Sequence, residues 1–317
     1  MRALGAAAGI VADRLIGEQP GRHHPVALLG TVLGRVEEVL YRDARPAGAV
    51  HAAVGTAVGV GAGALTPVAV ATWTAVSGRM LGETATAVGA ALAQNDLDRA
   101  RHLLPSLVGR DPTDLEAGEI ARAVVESVAE NTVDAVVAPA LWAALAGGAG
   151  ALGYRAVNTL DSMVGHRSPR YERFGWASAR LDDVAGYLPA RATAALVAAV
   201  RPRRAAAVAR AVRRQAAAHP SPNAGVAEAA FAAALGVRLG GENRYGDRVE
   251  VRPLLGDGPP PTAADIGRAV ALSRQVGGAL ALALTAAAAA RAAATRPPSR
   301  PGPWPAGRRR DRSGRGR

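Results

Sequence analysis

The residues with the greatest capacity for chemistry are acids repeated along one stretch, residues 111–189. Thr113 and Glu116 form an S/T-x-x-E capping box that predicts a helix start, and Pro139 predicts its end. At 3.6 residues per turn, Glu119, Glu126, Glu130 and Asp134 then share a face, with Ser127 and Asn131 beside it. Like charges one turn apart cost a few tenths of a kcal/mol even in water, about 0.2–0.5 per pair. Glu119 has Arg122 nearby to neutralise it, whereas Glu130 and Asp134 have no basic residue at helical spacing. A divalent cation would relieve that repulsion, and Mg²⁺ arriving with a phosphorylated substrate fits oxygen-only ligands.

Two further acidic sets follow. Asn158 and Asp161 stand at i,i+3 among apolar neighbours. Asp182 follows Ser178 at i,i+4, and Asp183 follows Arg180 at i,i+3. Ser221-Pro222 reads as an N-cap and first-turn pair opening a helix that carries Glu228. Several familiar chemistries are excluded. All 38 basic residues are arginine, so there is no Walker A lysine and no Schiff base. Without cysteine there is no thiolate nucleophile and no Cys-ligated zinc. No G-x-S-x-G elbow stands out. What remains is phosphate chemistry on a metal, held by acids and arginines.

The elements that must position these groups read as helices, several of them suited to lipid. Ala52 to Gly78 is 27 residues without a charge, against the ~20 needed to cross a bilayer. Residues 135–154 are also uncharged, but Pro139 and Gly147-Gly148 interrupt them, as in a broken or re-entrant helix lining a cavity. Residues 276–290 form a short apolar helix, and 247–265 a Pro/Gly loop. The net charge of +12 is concentrated at the end: nine arginines and one acid from Arg291 onward give +8, leaving +4 for the body. No basic stripe interleaved with aromatics marks a nucleic-acid partner. The arginine tail, and RPRRAAAVARAVRRQ at 201–215, place those segments on the cytoplasmic side. The expected fold is all-α: an integral, multi-pass membrane bundle with broken or re-entrant helices. It comprises one domain over residues 1–290 and a disordered Arg/Pro-rich tail over 291–317.

Three blocks carry a family resemblance: ESVAENTVDAVVAP, RAVNTLDSMVGHRSPRYERFGWASARLDDVAGYLPAR and HPSPNAGVAEAAFAAALGVRLGG. Together they resemble the adenosylcobinamide-phosphate synthases of cobalamin biosynthesis, over about residues 13–246. The chain departs from that pattern at Glu18-Gln19, where the family has an Asp-Pro step. The resemblance implies a plasma-membrane enzyme that joins a carboxylate of adenosylcobyric acid to the amine of (R)-1-amino-2-propanol or its O-phosphate. ATP and Mg²⁺ are the implied cofactors, the corrinoid is the substrate, and other late enzymes of the pathway are implied partners.

On this reading Glu126, Glu130 and Asp161 are catalytic. Glu126, Glu130, Asp134 and Asp161 hold metal, with Asp182 and Asp183 as a second set. Arg110, Arg167 and Arg180 meet phosphate or corrin carboxamides, and Asn131, Asn158, Ser221, Asn223 and Glu228 complete the substrate site. Two other readings compete. A Mg²⁺-dependent membrane prenyl- or alcohol-phosphotransferase would also use helical acids, but a tight D-x-x-x-D repeat is absent. A permease component would spread its polar residues over several spans, whereas here they gather within 111–189.

Overall fold

The computed structural model describes residues 1–17, 25–109, 111–166, 168–245 and 248–295; the side chains of 243–250 are not described. Glu18, Gln19, Arg110, Arg167 and the tail from 296 therefore lie outside the described residues. The first six helices are α1 (Arg2–Ile16), α2 (Pro25–Leu40), α3 (Arg45–Ala64), α4 (Val68–Ala75), α5 (Gly78–Ala93) and α6 (Leu97–Leu103). They are followed by α7 (Ala117–Thr132), α8 (Ala138–Ala146), α9 (Gly148–Leu160) and α10 (Trp176–Val200). The last are α11 (Ala205–Gln215), α12 (Ala224–Leu235) and α13 (Ala263–Ala294). The chain is all-α as expected, with one addition: strands β1 (Leu239–Tyr245) and β2 (Arg248–Leu255) pair as an antiparallel hairpin. The second strand occupies part of the stretch expected to be a loop.

Helix α7 is the centre of the molecule, with Ile120, Ala121, Val124, Val125 and Val128 all buried. Its start differs from the expected one. The Asp111 carboxylate accepts hydrogen bonds from the Thr113 N–H (3.0 Å) and hydroxyl (2.6 Å), so Thr113 closes a local turn and cannot cap. Glu116 is the N-cap instead, in a capping box with Glu119, which accepts from Glu116 N–H at 2.9 Å. Glu119 is thereby spent on the helix end and does not pair with Arg122. At the other end Thr132 and Ser273 hydroxyls meet at 2.7 Å, tying α7 to α13.

Pro139 does not end the helical path. Residues 133–137 form a π turn after α7, and Pro139 falls in the first turn of α8, where its missing N–H leaves nothing unpaired. α8 stops at Gly147, whose φ of 73° favours glycine, and α9 packs back against it. The broken helix expected over 135–154 is therefore present. α9 runs into a second π turn at Asp161–Gly165. Single π turns inside helices cluster at functional sites.

The uncharged run from Ala52 is two helices, not one. Leu65–Pro67 separates α3 from α4, because Pro67 can neither donate nor keep its predecessor helical. α3 crosses α9 closely through small residues. A methyl group on Gly148 would lie 2.3 Å from Gly63 O and 2.6 Å from Thr66 O. Among the described residues two helices are long and apolar enough to span a bilayer, α3 with 20 residues and α13 with 32. The apolar helix expected at 276–290 is the second half of α13, which continues to Ala294, into the stretch read as tail.

Candidate active site: two acidic groups joined by helix α7

The first group gathers around Glu126 and Glu130 on α7. Glu126 is 2% exposed and accepts a 2.8 Å hydrogen bond from the backbone N–H of Gly240. Gly240 has a φ of 82° at an irregularity in the hairpin register, and a methyl group there would lie 2.1 Å from Pro253 O. Only glycine brings the backbone this near. Arg122, one turn earlier, donates to the carbonyl oxygens of Gly240 and Glu242, so the hairpin is held by α7 at three points. The guanidinium of Arg252 on β2 stands 3.9 Å from Glu130.

Across from Glu130 lies the start of α12. Glu228 is 0% exposed within this otherwise apolar helix. His219 Nε2 lies 3.6 Å from Glu228 Oε1, and one ligand atom each from Glu130, His219 and Glu228 fall within 4.8 Å of one another. Burial, then the charges of Glu130 and Glu126, raise the Glu228 carboxyl well above its ordinary value. Burial lowers His219. Ser221, expected to cap α12, accepts from the N–H groups of Asn223 and Ala224, which folds the turn before the helix. Asn223 bridges this turn to α10: its amide donates to Asp183 O (2.9 Å) and accepts from Arg191 (3.1 Å). Gly186 leaves room for it, since a methyl group there would sit 2.6 Å from the Asn223 amide nitrogen.

The second group is built on the two π turns and α10. Asp134 accepts from the Tyr154 hydroxyl at 3.2 Å, and Asp182 lies 3.4 Å from the Asn158 amide nitrogen. The Asp161 carboxylate folds over Gly165, where a methyl group would come within 1.9 Å of it. Burial and then the charge of Glu130 push Asp134 up to about 7. Burial, then Asp134 and Asp161, push Asp182 up to about 8. Burial and Asp183 push Asp161 up to about 6. These acids thus crowd one another, and the charge of Arg155 opposes the rise at Asp134 only in part.

The acids expected to act together are therefore divided. Glu126 and Glu130 face the hairpin and α12, while Asp134, Asp161 and Asp182 face the π turns. Glu130 acts on both, since its charge raises Asp134 and Glu228 alike. Asp183 sits at the edge, paired with Arg180 at 3.4 Å. Asn131 turns back to the Ser127 carbonyl and hydroxyl. His219, Tyr154, Arg122, Arg252 and Gly240 were not expected at the site. His219 stood in plain view two residues before Ser221, and only the spatial return of α12 to Glu130 reveals it.

The family model described as CobD/Cbib protein matches residues 6–273. The cobalamin biosynthesis protein CobD of Mycobacterium tuberculosis is 53% identical over 300 residues, covering 89% of this chain and 95% of the relative. The protein of the same name from Chromobacterium violaceum is 42% identical over 281 residues, covering 83% and 89%. That from Klebsiella pneumoniae is 41% identical over 301 residues, covering 86% and 93%. No solved structure matches the chain. On a match that spans most of its length and every element of the acidic site, this chain belongs to the CobD/Cbib family, the cobinamide-phosphate synthases.

Proposed function

We propose that this protein works in cobalamin biosynthesis as an amide-forming synthase, joining a carboxylate of adenosylcobyric acid to the amine of (R)-1-amino-2-propanol or its O-phosphate. The observation that carries this reading is the Asp134–Asp161–Asp182 group beside Glu130, inside a chain related over most of its length to proteins named for that pathway. Three acids held together, with Tyr154 and Asn158 as their hydrogen-bond partners among the described residues, fit a hard divalent cation. Mg²⁺ bound with ATP would supply charge neutralisation for a phosphoryl group on its way to the corrin carboxylate.

The chain's own residues do the rest in this proposal. Asp134 and Asp182 hold the cation, and Tyr154 and Asn158 orient them. Asp161, beside that pair on the second π turn, takes the proton released when the amine becomes an amide. Asn223 fixes α12 against α10, and Arg180 at the rim meets phosphate. Glu126, with one oxygen on Gly240 N–H, positions the hairpin.

The protein does this in the membrane, spanning it through α3 and α13. A third of the apolar window of α3 and 28% of that of α13 is buried. Much of the remainder, including Val50, Val54, Val58 and Leu282, is exposed apolar surface suited to lipid. The test is mass analysis of corrinoids in cells lacking the gene. Cobyric acid should accumulate, and restoring the gene should return cobinamide-type corrinoids. Normal corrinoids in the deletion strain would overturn the proposal.

A further inference from the structure

The group at Glu130 has a feature that the aspartate group lacks. Among the described residues no N–H reaches either oxygen of Glu228, where only a proton shared with Glu130 could serve, and none reaches His219 Nε2, although both side chains are almost wholly buried (0% and 3% exposed). A buried acid without a donor is costly when neutral and more so when charged. α12 carries this residue among alanines, valine and phenylalanine, and ligand atoms of His219 and Glu130 come within 4.8 Å of it.

The imidazole orientation sharpens the case. Nδ1 of His219 accepts from the Ser221 N–H at 3.1 Å and lies 3.2 Å from Ser221 O. Nε2 then carries the proton and should donate to Glu228, but the 3.6 Å separation is too long for that bond. When an ion takes the place of the Nε2 proton, Nδ1 becomes the donor to Ser221 O at 3.2 Å and the Nε2 lone pair faces two carboxylates. Metal-binding histidines are anchored through their other nitrogen to a backbone carbonyl in this way.

We infer that His219 Nε2, Glu228 and Glu130 form a binding site for a divalent transition-metal ion, separate from the aspartate group. Donor atoms around such an ion at ~2.1 Å lie about 3–4 Å apart, and the three atoms here are within 4.8 Å before any ion draws them in. An imidazole with two carboxylates selects Mn²⁺, Fe²⁺, Co²⁺ or Zn²⁺ over Mg²⁺, which prefers oxygen alone. Glu130 is 34% exposed and gives the ion access from solvent, with the Arg252 guanidinium 3.9 Å from it. The competing arrangement is a proton shared between Glu228 and Glu130. The inference concerns metal and not turnover, so it stands or falls independently of the synthase reading.

The experiment loads detergent-purified full-length protein with Mn²⁺ in the presence of excess Mg²⁺, which occupies the oxygen-only aspartate group, removes free ion by desalting, and counts retained manganese by mass spectrometry. Unaltered protein should keep about one equivalent. His219→Ala, Glu228→Gln and Glu130→Gln should each keep less than about a tenth as much. Asp182→Asn, in the other group, should keep the full equivalent. Unaltered protein that retains no ion, or His219 and Glu228 variants that retain it in full, would overturn the site in favour of the shared proton. Should a variant fail to elute as folded protein, the spin-echo spectrum of Mn²⁺ in the unaltered protein decides. Nitrogen coupling from one imidazole is expected, and its absence would overturn the site.

Discussion

The backbone N–H of Gly240 donates a 2.8 Å hydrogen bond to Glu126 Oε1, joining a hairpin to the central helix across 114 residues. The bond is buried and charge-assisted, and Arg122 reinforces it from the preceding turn. Replacing Glu126 by Ala strands the Gly240 N–H in a dry interface. The expected loss is about 1–3 kcal/mol of stability, read as a lower Tm in detergent and as new proteolytic cuts within 239–255. Unchanged cutting would show that the hairpin is held by other contacts.

A pH dependence follows from the aspartate group, which lies outside the two spanning helices. In an unfolded chain these acids ionise near ~4. In the folded protein Asp134 and Asp182 keep their protons up to about 7 and about 8. Between those limits the folded state binds more protons, so stability falls as pH rises from about 4 towards about 8. Melting in chelator should therefore give a lower Tm at pH 8 than at pH 5. Mg²⁺ should raise Tm more at pH 8, where the acids are ready to bind it. A Tm that is flat with pH and indifferent to Mg²⁺ would remove the cation from this group.

Much of this site could be read from local spacing. Glu126, Glu130 and Asp134 share a helical face because 3.6-residue periodicity needs only the sequence around them. Asn158 with Asp161, and Asp182 with Asp183, were visible for the same reason. The π turns were not: each adds one residue to a turn without a distinctive composition, and each re-aims an acid, Asp134 in one and Asp161 in the other. Nor could spacing reveal Gly240, Arg252 or His219, whose places depend on how far-apart segments return to α7. The cap moved from Thr113 to Glu116 because Asp111 competes for the threonine hydroxyl, a side-chain preference that a motif does not encode.

The crossing of α3 and α9 has no room for a side chain. Gly148→Ala places a methyl group 2.3 Å from Gly63 O, a contact between two backbones that neither can relieve cheaply. Overpacking of this kind costs about 1–3 kcal/mol, and folded yield should fall accordingly. A Gly148→Ala protein with unaltered Tm would mean that the two helices do not cross here.

Membrane spanning by α3 and α13 predicts behaviour on extraction. The protein should stay with membranes through high salt and alkaline washing and leave only with detergent. Release by alkali would show attachment at the surface, through basic segments such as the six arginines of 201–214.

The central claim is that the acidic face of α7 is part of the catalytic centre, and Glu130, which acts on both acidic groups, tests it most directly. Glu130→Gln keeps size and hydrogen bonding but removes the charge. Purified variant and unaltered protein would be compared for conversion of cobyric acid with ATP, aminopropanol or its phosphate, and limiting Mg²⁺. The account predicts a fall in turnover of about a hundredfold or more, in a protein whose Tm is equal or higher because repulsion with Asp134 and Glu228 is gone. Unchanged conversion by Glu130→Gln under those conditions would contradict it.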